Sequence, residues 1–161
     1  MGKTKNVNDS TVTMMELILP NDANSLGNLL GGKLMHWIDI AGAMAASRHS
    51  NRTVATISVD ELVFKEPVKI GEILVIEAGL TWVGRTSMEV KVRAFAENYH
   101  TGEKRAANTA YLVYVALDEE GRPAPVPELE LDTDEEKQEF ADAEKRRAIR
   151  INRSERLKKS Q

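Results

Sequence analysis

The chain has 161 residues, of which 42% are hydrophobic, and it carries a formal net charge of −3. This balance favours one globular domain with a sizeable core and excludes a disordered chain of low hydrophobicity and high charge. The absence of cysteine excludes a disulfide scaffold, a thiol nucleophile and a cysteine-ligated zinc site. No apolar run approaches the roughly 20 residues that span a membrane, so no membrane partner and a cytoplasmic location are expected.

The first segments of the chain are polar and then β-forming. We expect residues 1–10 to be a disordered N-terminus, because they are almost entirely polar. Residues 11–19 (TVTMMELIL) are rich in β-forming types and predict a first strand. The sequence PNDAN at 20–24 ends this strand with strong turn residues, and a glycine-containing loop follows.

Residues 31–48 (GGKLMHWIDIAGAMAASR) predict a helix that is apolar all round, with only His36 and Asp39 as polar exceptions in its interior. Such a helix has to be surrounded by protein. A buried carboxylate without partners is costly, so Asp39 needs an explanation. It is either a structural acid, for example one paired with His36, or a catalytic carboxylate in a water-poor site. The helix alone leaves both possibilities open.

Four more strands are predicted after the helix, at 53–64, 73–82, 87–98 and 105–117. Glycine-containing turns at 69–72, 84–86 and 101–102 connect them as hairpins. One strand, one helix and an antiparallel run predict an α+β domain over residues 11–129. An antiparallel sheet of about five strands would wrap round the central helix, the arrangement called the hot-dog fold. Its exposed edges predict a homodimer with a continuous sheet.

Residues 130–161 form a charged segment that predicts an additional C-terminal helix. Acidic residues at 132–144 precede basic residues at 145–159, the order that the helix dipole favours. Phe140, with Ile149 and Ile151, could form a docking stripe, but a solvated helix is the simpler interpretation and a site for a phosphate-rich small molecule is another. No nucleic-acid partner is expected, because the whole chain is acidic and has no recognition motif.

Two stretches of the chain resemble one protein family. They are PNDANSLGNLLGGKLMHWIDIAGAMAASRHS at 20–50 and VATISVDELVFKEPVKIGEILVIEAGLTWVGRTSMEV at 54–90. Both are similar to the signature of cytoplasmic acyl-CoA thioesterases of the hot-dog superfamily, over about residues 12–129. The resemblance implies an enzyme that hydrolyses acyl-CoA to a carboxylate and free coenzyme A. It also implies no cofactor beyond the coenzyme A of the substrate, and a homo-oligomer, plausibly a hexamer built as a trimer of dimers.

The resemblance implies that Asn24 and Asp39 act together and that Gly31 and Gly32 supply the oxyanion hole. The spacing is physically reasonable, because Gly32 and Asp39 share one helix face and lie roughly 10 Å apart along the axis. Side chains lean towards the helix start, where free amides and the dipole suit a developing oxyanion. Asp39 would be a general base towards water or a nucleophile through a mixed anhydride. Ordinary turn formation is the alternative role for Asn24.

Further residues follow from the same resemblance. Ser58, or alternatively Thr56, would help to position water from a partner subunit, unless it is only a half-buried strand hydroxyl. Coenzyme A carries three phosphates, and the turn with Arg85, Thr86 and Ser87 offers a guanidinium, two hydroxyls and backbone amides. The alternative is a plain hairpin turn.

Arg48 and the basic tail could add further phosphate contacts. No metal site is expected, because His36 has no second ligand at metal spacing. Two other functions stay open: a non-catalytic acyl-CoA sensor, and a hot-dog enoyl-CoA hydratase or dehydratase. A Ser-His-Asp hydrolase is not expected, because the chain has no Gly-x-Ser-x-Gly motif.

Overall fold

The computed structural model describes residues 3–161, so the predictions for residues 1 and 2 lie outside the described part. A five-stranded sheet wraps one long helix, and a second long helix follows it in the chain. The helices are α1 (Gly31–Ser50) and α2 (Asp134–Lys159). The strands are β1 (Thr4–Asn6), β2 (Val12–Leu17), β3 (Thr53–Phe64), β4 (Ile73–Val83), β5 (Ser87–Glu97), β6 (Lys104–Leu117) and β7 (Glu128–Glu130).

The main sheet has the strand order β2-β4-β5-β6-β3, and every neighbouring pair is antiparallel. The predicted α+β hot-dog fold is therefore confirmed. Each of the four strands predicted after α1 begins and ends within one residue of its prediction, whereas the short strand β7 was not predicted. Gly71 and Gly102 have φ angles of +87° and +76°, which is why glycine punctuates the hairpin turns.

The N-terminal segment differs from its prediction. Residues 4–6 form β1, which pairs in parallel with β7, and residues 7–9 form a 3-10 turn, so the expected disorder is wrong for the described residues. Asn6 and Asp9 cap each other's backbone amides. Lys5 Nζ donates to the Arg48 carbonyl at 2.8 Å. Polar side chains hold this segment, and composition alone does not reveal such contacts.

The core lies between α1 and the inner face of the sheet. Alternate residues of β5 point at α1 and are fully buried: Met88, Val90, Val92, Ala94 and Ala96. Small residues of α1 let the sheet approach closely: Ala41, Gly42, Ala45 and Ala46. The alternation of apolar and polar residues along β5 therefore sets which face of the sheet is buried against the helix.

Helix α2 covers part of the outer face of the sheet, so a fully solvated helix is the wrong interpretation for its first half. The Phe140 ring lies 6.5 Å from the Trp82 ring of β4, as expected for a docking residue. Arg146 reaches Glu89 of β5 at 2.7 Å, and Arg150 reaches Asp60 of β3 at 2.9 Å. The rest of the expected stripe does not pack: Ile149 and Ile151 are 60% and 41% exposed. Ion pairs, together with Phe140, therefore dock α2 as far as Arg150, and the residues beyond it are exposed.

One face of α1 is left uncovered by the single chain. Met35, Ile40 and Met44 are each 37–40% exposed, although the sequence predicts a helix enclosed on all sides. The edge strand β3 is also apolar and exposed, at Ile57 and Val63 among others. The enclosure that the sequence demands is thus incomplete within one chain. No helix of residues 3–161 has the length and apolarity to cross a membrane.

Candidate active site

Asp39 lies in the middle of α1 and is half-buried. Its Oδ1 accepts a hydrogen bond from Thr56 Oγ1 at 2.8 Å and lies 3.1 Å from the Tyr114 hydroxyl. Oδ2 makes no hydrogen bond within residues 3–161 and is not sealed from solvent. Across the same residues no Lys, Arg or His forms an ion pair with it, so the predicted alternative of a His36 pair is wrong. Neutral hydroxyls hold one oxygen, and the other is open.

The register of the sheet decides which hydroxyl meets Asp39. Thr56 is opposite Tyr114 in the β3–β6 ladder, so both point inwards to α1. A bulge follows Thr56, and Ser58 pairs with Val113, which points to the outer face. The hydroxyl of Ser58 is buried there without a partner in the described chain. Within one chain, therefore, Ser58 does not contact Asp39 and its alternative Thr56 does. The role of Ser58 in positioning water from a partner subunit stays a prediction.

Tyr114 is a site residue that the sequence analysis missed. Its hydroxyl also lies 2.9 Å from the backbone carbonyl of Asp39, so one proton is shared between two acceptors. Burial, reinforced by the charge and hydrogen bond of Asp39, raises the pKa of Tyr114, which therefore remains a donor. An aromatic residue in a strand predicts only a core position. Its contact with a residue 75 positions away depends on a register that no local pattern specifies.

The start of α1 presents free backbone amides. Leu30 gives no side-chain cap, and the first bond into the helix runs from Leu34 N to the Leu30 carbonyl at 3.0 Å. The amides of Gly31 and Gly32 precede that bond and have no partner inside the helix. Neither residue has a positive φ, and a Cβ would have room: it would lie 3.5 Å from Phe64 at Gly31 and meet nothing within 4 Å at Gly32. The fold of the single chain thus does not require these glycines.

Asn24 organises the loop that precedes α1. Its Oδ1 accepts hydrogen bonds from the amides of Leu26 and Asn28 at 3.0 and 3.2 Å, as in an Asx turn. Asn24 is exposed and makes no hydrogen bond to Asp39 in the described chain. Within one chain, therefore, Asn24 has the turn-forming role, and its side-chain amide nitrogen is left for another partner.

The predicted phosphate-binding residues fall at two separate places. Arg85, Thr86 and Ser87 lie at the β4–β5 turn, and Arg85 is exposed. Because Met88 is opposite Tyr114, this turn lies at the same end of the sheet as Thr56, roughly 10 Å and two strands away from it.

Arg48 is placed differently from that turn. It lies nine residues beyond Asp39 on α1, about 13 Å along the axis. Its guanidinium donates to the Thr11 carbonyl at 2.7 Å, so Arg48 anchors the segment before β2. Within residues 3–161 no cluster of three potential metal ligands occurs.

The fold and the site together define a class of protein. It is a hot-dog domain whose central helix carries one half-open carboxylate, held by neutral hydroxyls, downstream of free helix amides.

Comparison with known proteins agrees with this class. The family model described as the thioesterase superfamily matches residues 26–103. The chain is 39% identical over 134 residues to the uncharacterised acyl-CoA thioester hydrolase YkhA of Bacillus subtilis, covering 83% of this chain and 78% of that protein. The chain belongs to the thioesterase superfamily.

Solved structures extend the comparison. An apo-hexameric acyl-CoA thioesterase superposes with a TM-score of 0.91 at 39% identity, over 94% of this chain and 97% of the other. An acyl-CoA hydrolase of Staphylococcus aureus, in complex with butyryl coenzyme A, coenzyme A and coenzyme A disulfide, has a TM-score of 0.87 at 33% identity, over 96% and 97% of the two chains.

Three variants of the S. aureus hydrolase also superpose, at 31–32% identity and TM-scores of 0.85–0.89. Each variant replaces one residue by alanine. The three residues are an Asn, an Asp 15 positions after it, and a Thr 17 positions after that Asp. Asn24, Asp39 and Thr56 have the same two spacings in this chain.

Proposed function

We propose that this protein is an acyl-CoA thioesterase that hydrolyses acyl-CoA to a carboxylate and free coenzyme A. The observation that carries the proposal is the state of Asp39, whose Oδ1 is held by Thr56 and Tyr114 while Oδ2 is open. A carboxylate fixed in this way can take a proton from water beside a substrate. The names of the superfamily relatives and the matching spacing of Asn24, Asp39 and Thr56 support the same activity.

In the proposed reaction Asp39 Oδ2 accepts a proton from a water molecule as its oxygen attacks the thioester carbonyl carbon. The carbonyl π electrons move to oxygen, and the amides of Gly31 and Gly32 stabilise that charge, assisted by the α1 dipole. The carbonyl then re-forms, the C–S bond breaks, and the thiolate of coenzyme A leaves and takes up the proton held by Asp39, which restores the carboxylate. In the second route Asp39 attacks the carbonyl itself and water hydrolyses the mixed anhydride. Finding ¹⁸O in the Asp39 carboxyl after one turnover in H₂¹⁸O would identify that second route.

We further propose a homodimer in which a second copy covers the exposed face of α1 and pairs with β3. The exposed apolar residues beside Asp39 on the helix are Met35, Ile40 and Met44, and β3 is an unpaired edge strand. Exposed apolar surface and unpaired edge strands are both typical of protein–protein interfaces. A second copy there would wall the cleft above Asp39. The hexameric relative supports assembly of such dimers into a trimer of dimers.

For coenzyme A we propose the β4–β5 turn, with Arg85, Thr86 and Ser87, as the phosphate-binding element. Arg85 is exposed and the turn lies at the same end of the sheet as Thr56, which supports this assignment. Arg48 is the weaker candidate, because its guanidinium is already bonded to the Thr11 carbonyl. No cofactor beyond the coenzyme A of the substrate is proposed, and the cytoplasmic location stays a prediction.

The test is release of free thiol from a panel of acyl-CoA substrates of increasing chain length. We expect saturable turnover for at least one chain length, and a raised KM with little change in kcat for Arg85→Ala. Incubation with enoyl-CoA separates the hydratase alternative, which would produce a hydroxyacyl-CoA and no thiol. Tight binding of every acyl-CoA without thiol release would contradict the proposal and favour the sensor.

A further inference from the structure

The phenol of Tyr114 is enclosed between β6 and α1. The residue is 0% exposed, and its hydroxyl contacts Asp39 twice, at Oδ1 and at the backbone carbonyl. Since a substrate cannot reach a side chain buried to this extent, Tyr114 acts only through Asp39. Thr56 donates to the same Oδ1, so that oxygen has two donors and the opposite oxygen has none in the described chain.

Gly42 provides the space that the phenol occupies. It lies three residues after Asp39, and a Cβ there would be 2.3 Å from the Tyr114 oxygen and 3.0 Å from its Cζ. The φ of Gly42 is not positive, so the backbone does not need glycine for its conformation. A helix-interior glycine is destabilising by roughly 0.5–1 kcal/mol relative to alanine. We call the space left by the missing Cβ of Gly42 the notch. It costs helix stability, and the contact that it permits is the one between Tyr114 and Asp39.

We propose that Gly42 and Tyr114 form a positioning pair for the catalytic carboxylate: the notch at Gly42 seats the phenol, whose hydroxyl fixes Asp39 Oδ1 and so orients Oδ2 towards water. This inference rests on the proposed thioesterase activity and adds two residues to it. Tyr114 is a positioning residue, because it touches neither substrate nor water.

One physical effect follows from the pair. Two donors on Oδ1 restrict rotation of the carboxylate, and rotation would carry the open oxygen away from the reacting water. Burial, reinforced by the charge of Asp39, raises the pKa of Tyr114, so its hydroxyl stays protonated at neutral pH and donates to the carboxylate.

Tyr114→Phe tests the pair, because it removes one oxygen and retains the ring. We expect kcat to fall by about 10- to 100-fold with KM changed less than about twofold, as for the loss of one hydrogen bond to a charged group. A purely structural tyrosine would lower the melting temperature and leave kcat, measured per folded enzyme, unchanged.

Gly42→Ala tests the notch from the other side. The added Cβ displaces the Tyr114 hydroxyl, so kcat should fall in the same range, again with little change in KM. In the Tyr114→Phe background the nearest atom is gone and ring carbons at 3.0 and 3.1 Å remain, so the alanine should cause less additional loss of kcat. Gly42→Ala also serves if the Tyr114→Phe protein fails to fold.

Tyr111→Phe is the matched control. Tyr111 lies on the same strand but faces outwards, with the Arg146 guanidinium 3.7 Å from its ring centroid. The Tyr111→Phe change should leave kcat and KM unchanged.

The assay includes the wild type and Asp39→Asn, so that two failures are distinguishable. A wild type inactive on every acyl-CoA overturns the proposed function and this pair with it. If the wild type is active, Asp39→Asn is inactive and Tyr114→Phe has an unchanged kcat, the positioning pair alone is overturned. Additive losses of kcat for Gly42→Ala and Tyr114→Phe would also contradict it.

Discussion

Two carboxylates lie on opposite faces of the same sheet and have opposite surroundings. On the outer face Glu89 is 1% exposed and receives two hydrogen bonds from the Arg146 guanidinium, at 2.7 and 3.1 Å, and one from Thr81 at 2.6 Å. On the inner side Asp39 is half-buried and receives its side-chain hydrogen bonds from the neutral hydroxyls of Thr56 and Tyr114.

The difference separates a structural acid from a reactive one. The charge of Glu89 is neutralised by a fork of two N–H groups, and both of its oxygens are in use, so it can only hold α2 on the sheet. Asp39 keeps its charge and one free oxygen, so it can accept a proton. Burial alone does not mark an active carboxylate; the charge of its partners and the number of free oxygens do.

Breaking the outer pair should change stability and not catalysis. Arg146→Met leaves the buried Glu89 without its cation, so we expect a loss of about 3–5 kcal/mol in the free energy of unfolding. For a chain of this size that loss is about 10 °C in the melting temperature. Urea titration and thiol release at equal folded concentration measure the two quantities.

The double variant Glu89→Leu/Arg146→Met is the control for that prediction. It removes both charges, so most of the lost stability should return. A folded Arg146→Met protein with a strongly reduced kcat would mean that the outer pair takes part in catalysis, and the separation between the two acids would then be wrong.

The glycines of α1 should differ in their effect on stability. Gly32→Ala meets no atom within 4 Å, so we expect stability to be unchanged or raised by up to about 1 kcal/mol. Its kcat should fall by about 10- to 100-fold, because the Cβ occupies space beside the amides assigned to the oxyanion. Gly42→Ala should instead lose stability, because its Cβ collides with Tyr114. Thermal melts with thiol release test both, and full activity for Gly32→Ala would contradict the oxyanion assignment.

The smallest expected effect concerns a buried histidine. Burial lowers the pKa of His49, outweighing its hydrogen bond to the Pro127 carbonyl, while Lys5 lowers it further and Asp9 raises it. The unfolded chain then binds a proton near pH 6.5 that the folded chain does not, so stability is full above that pH and falls below it. The slope is at most about 1.4 kcal/mol per pH unit. Urea unfolding between pH 7.5 and 5.5 measures it, and the slope should flatten in His49→Gln.

The sequence predicted the helix, the strands and the hot-dog fold well, because hydrophobic periodicity and turn residues specify them locally. β3, for example, covers residues 53–64 as predicted. Glu89, by contrast, is a charged residue in an alternating strand, a position typical of a solvated face. It is buried because α2 docks there through ion pairs that leave no apolar stripe in the sequence. The docking of a helix on a sheet through such long-range ion pairs cannot be recognised from the local sequence.

The candidate site could be predicted only in part, for a related reason. Asp39 stands out as the one acid in an apolar helix, and the glycines stand out at its start. The choice between Ser58 and Thr56 depends on a one-residue bulge that reverses which face a side chain points to, and alternation cannot reveal it. Only the register of β6 against its neighbouring strands shows that Tyr114 faces Asp39.

The central claim is that Asp39 is the reactive carboxylate, and thiol release by Asp39→Asn tests it most directly. The change keeps the shape of the side chain and removes its charge, so we expect kcat to fall by at least about 1,000-fold with a folded protein, whereas Asp132→Asn, at an exposed position, keeps wild-type activity. An Asp39→Asn protein that hydrolyses acyl-CoA at the wild-type rate would contradict the account.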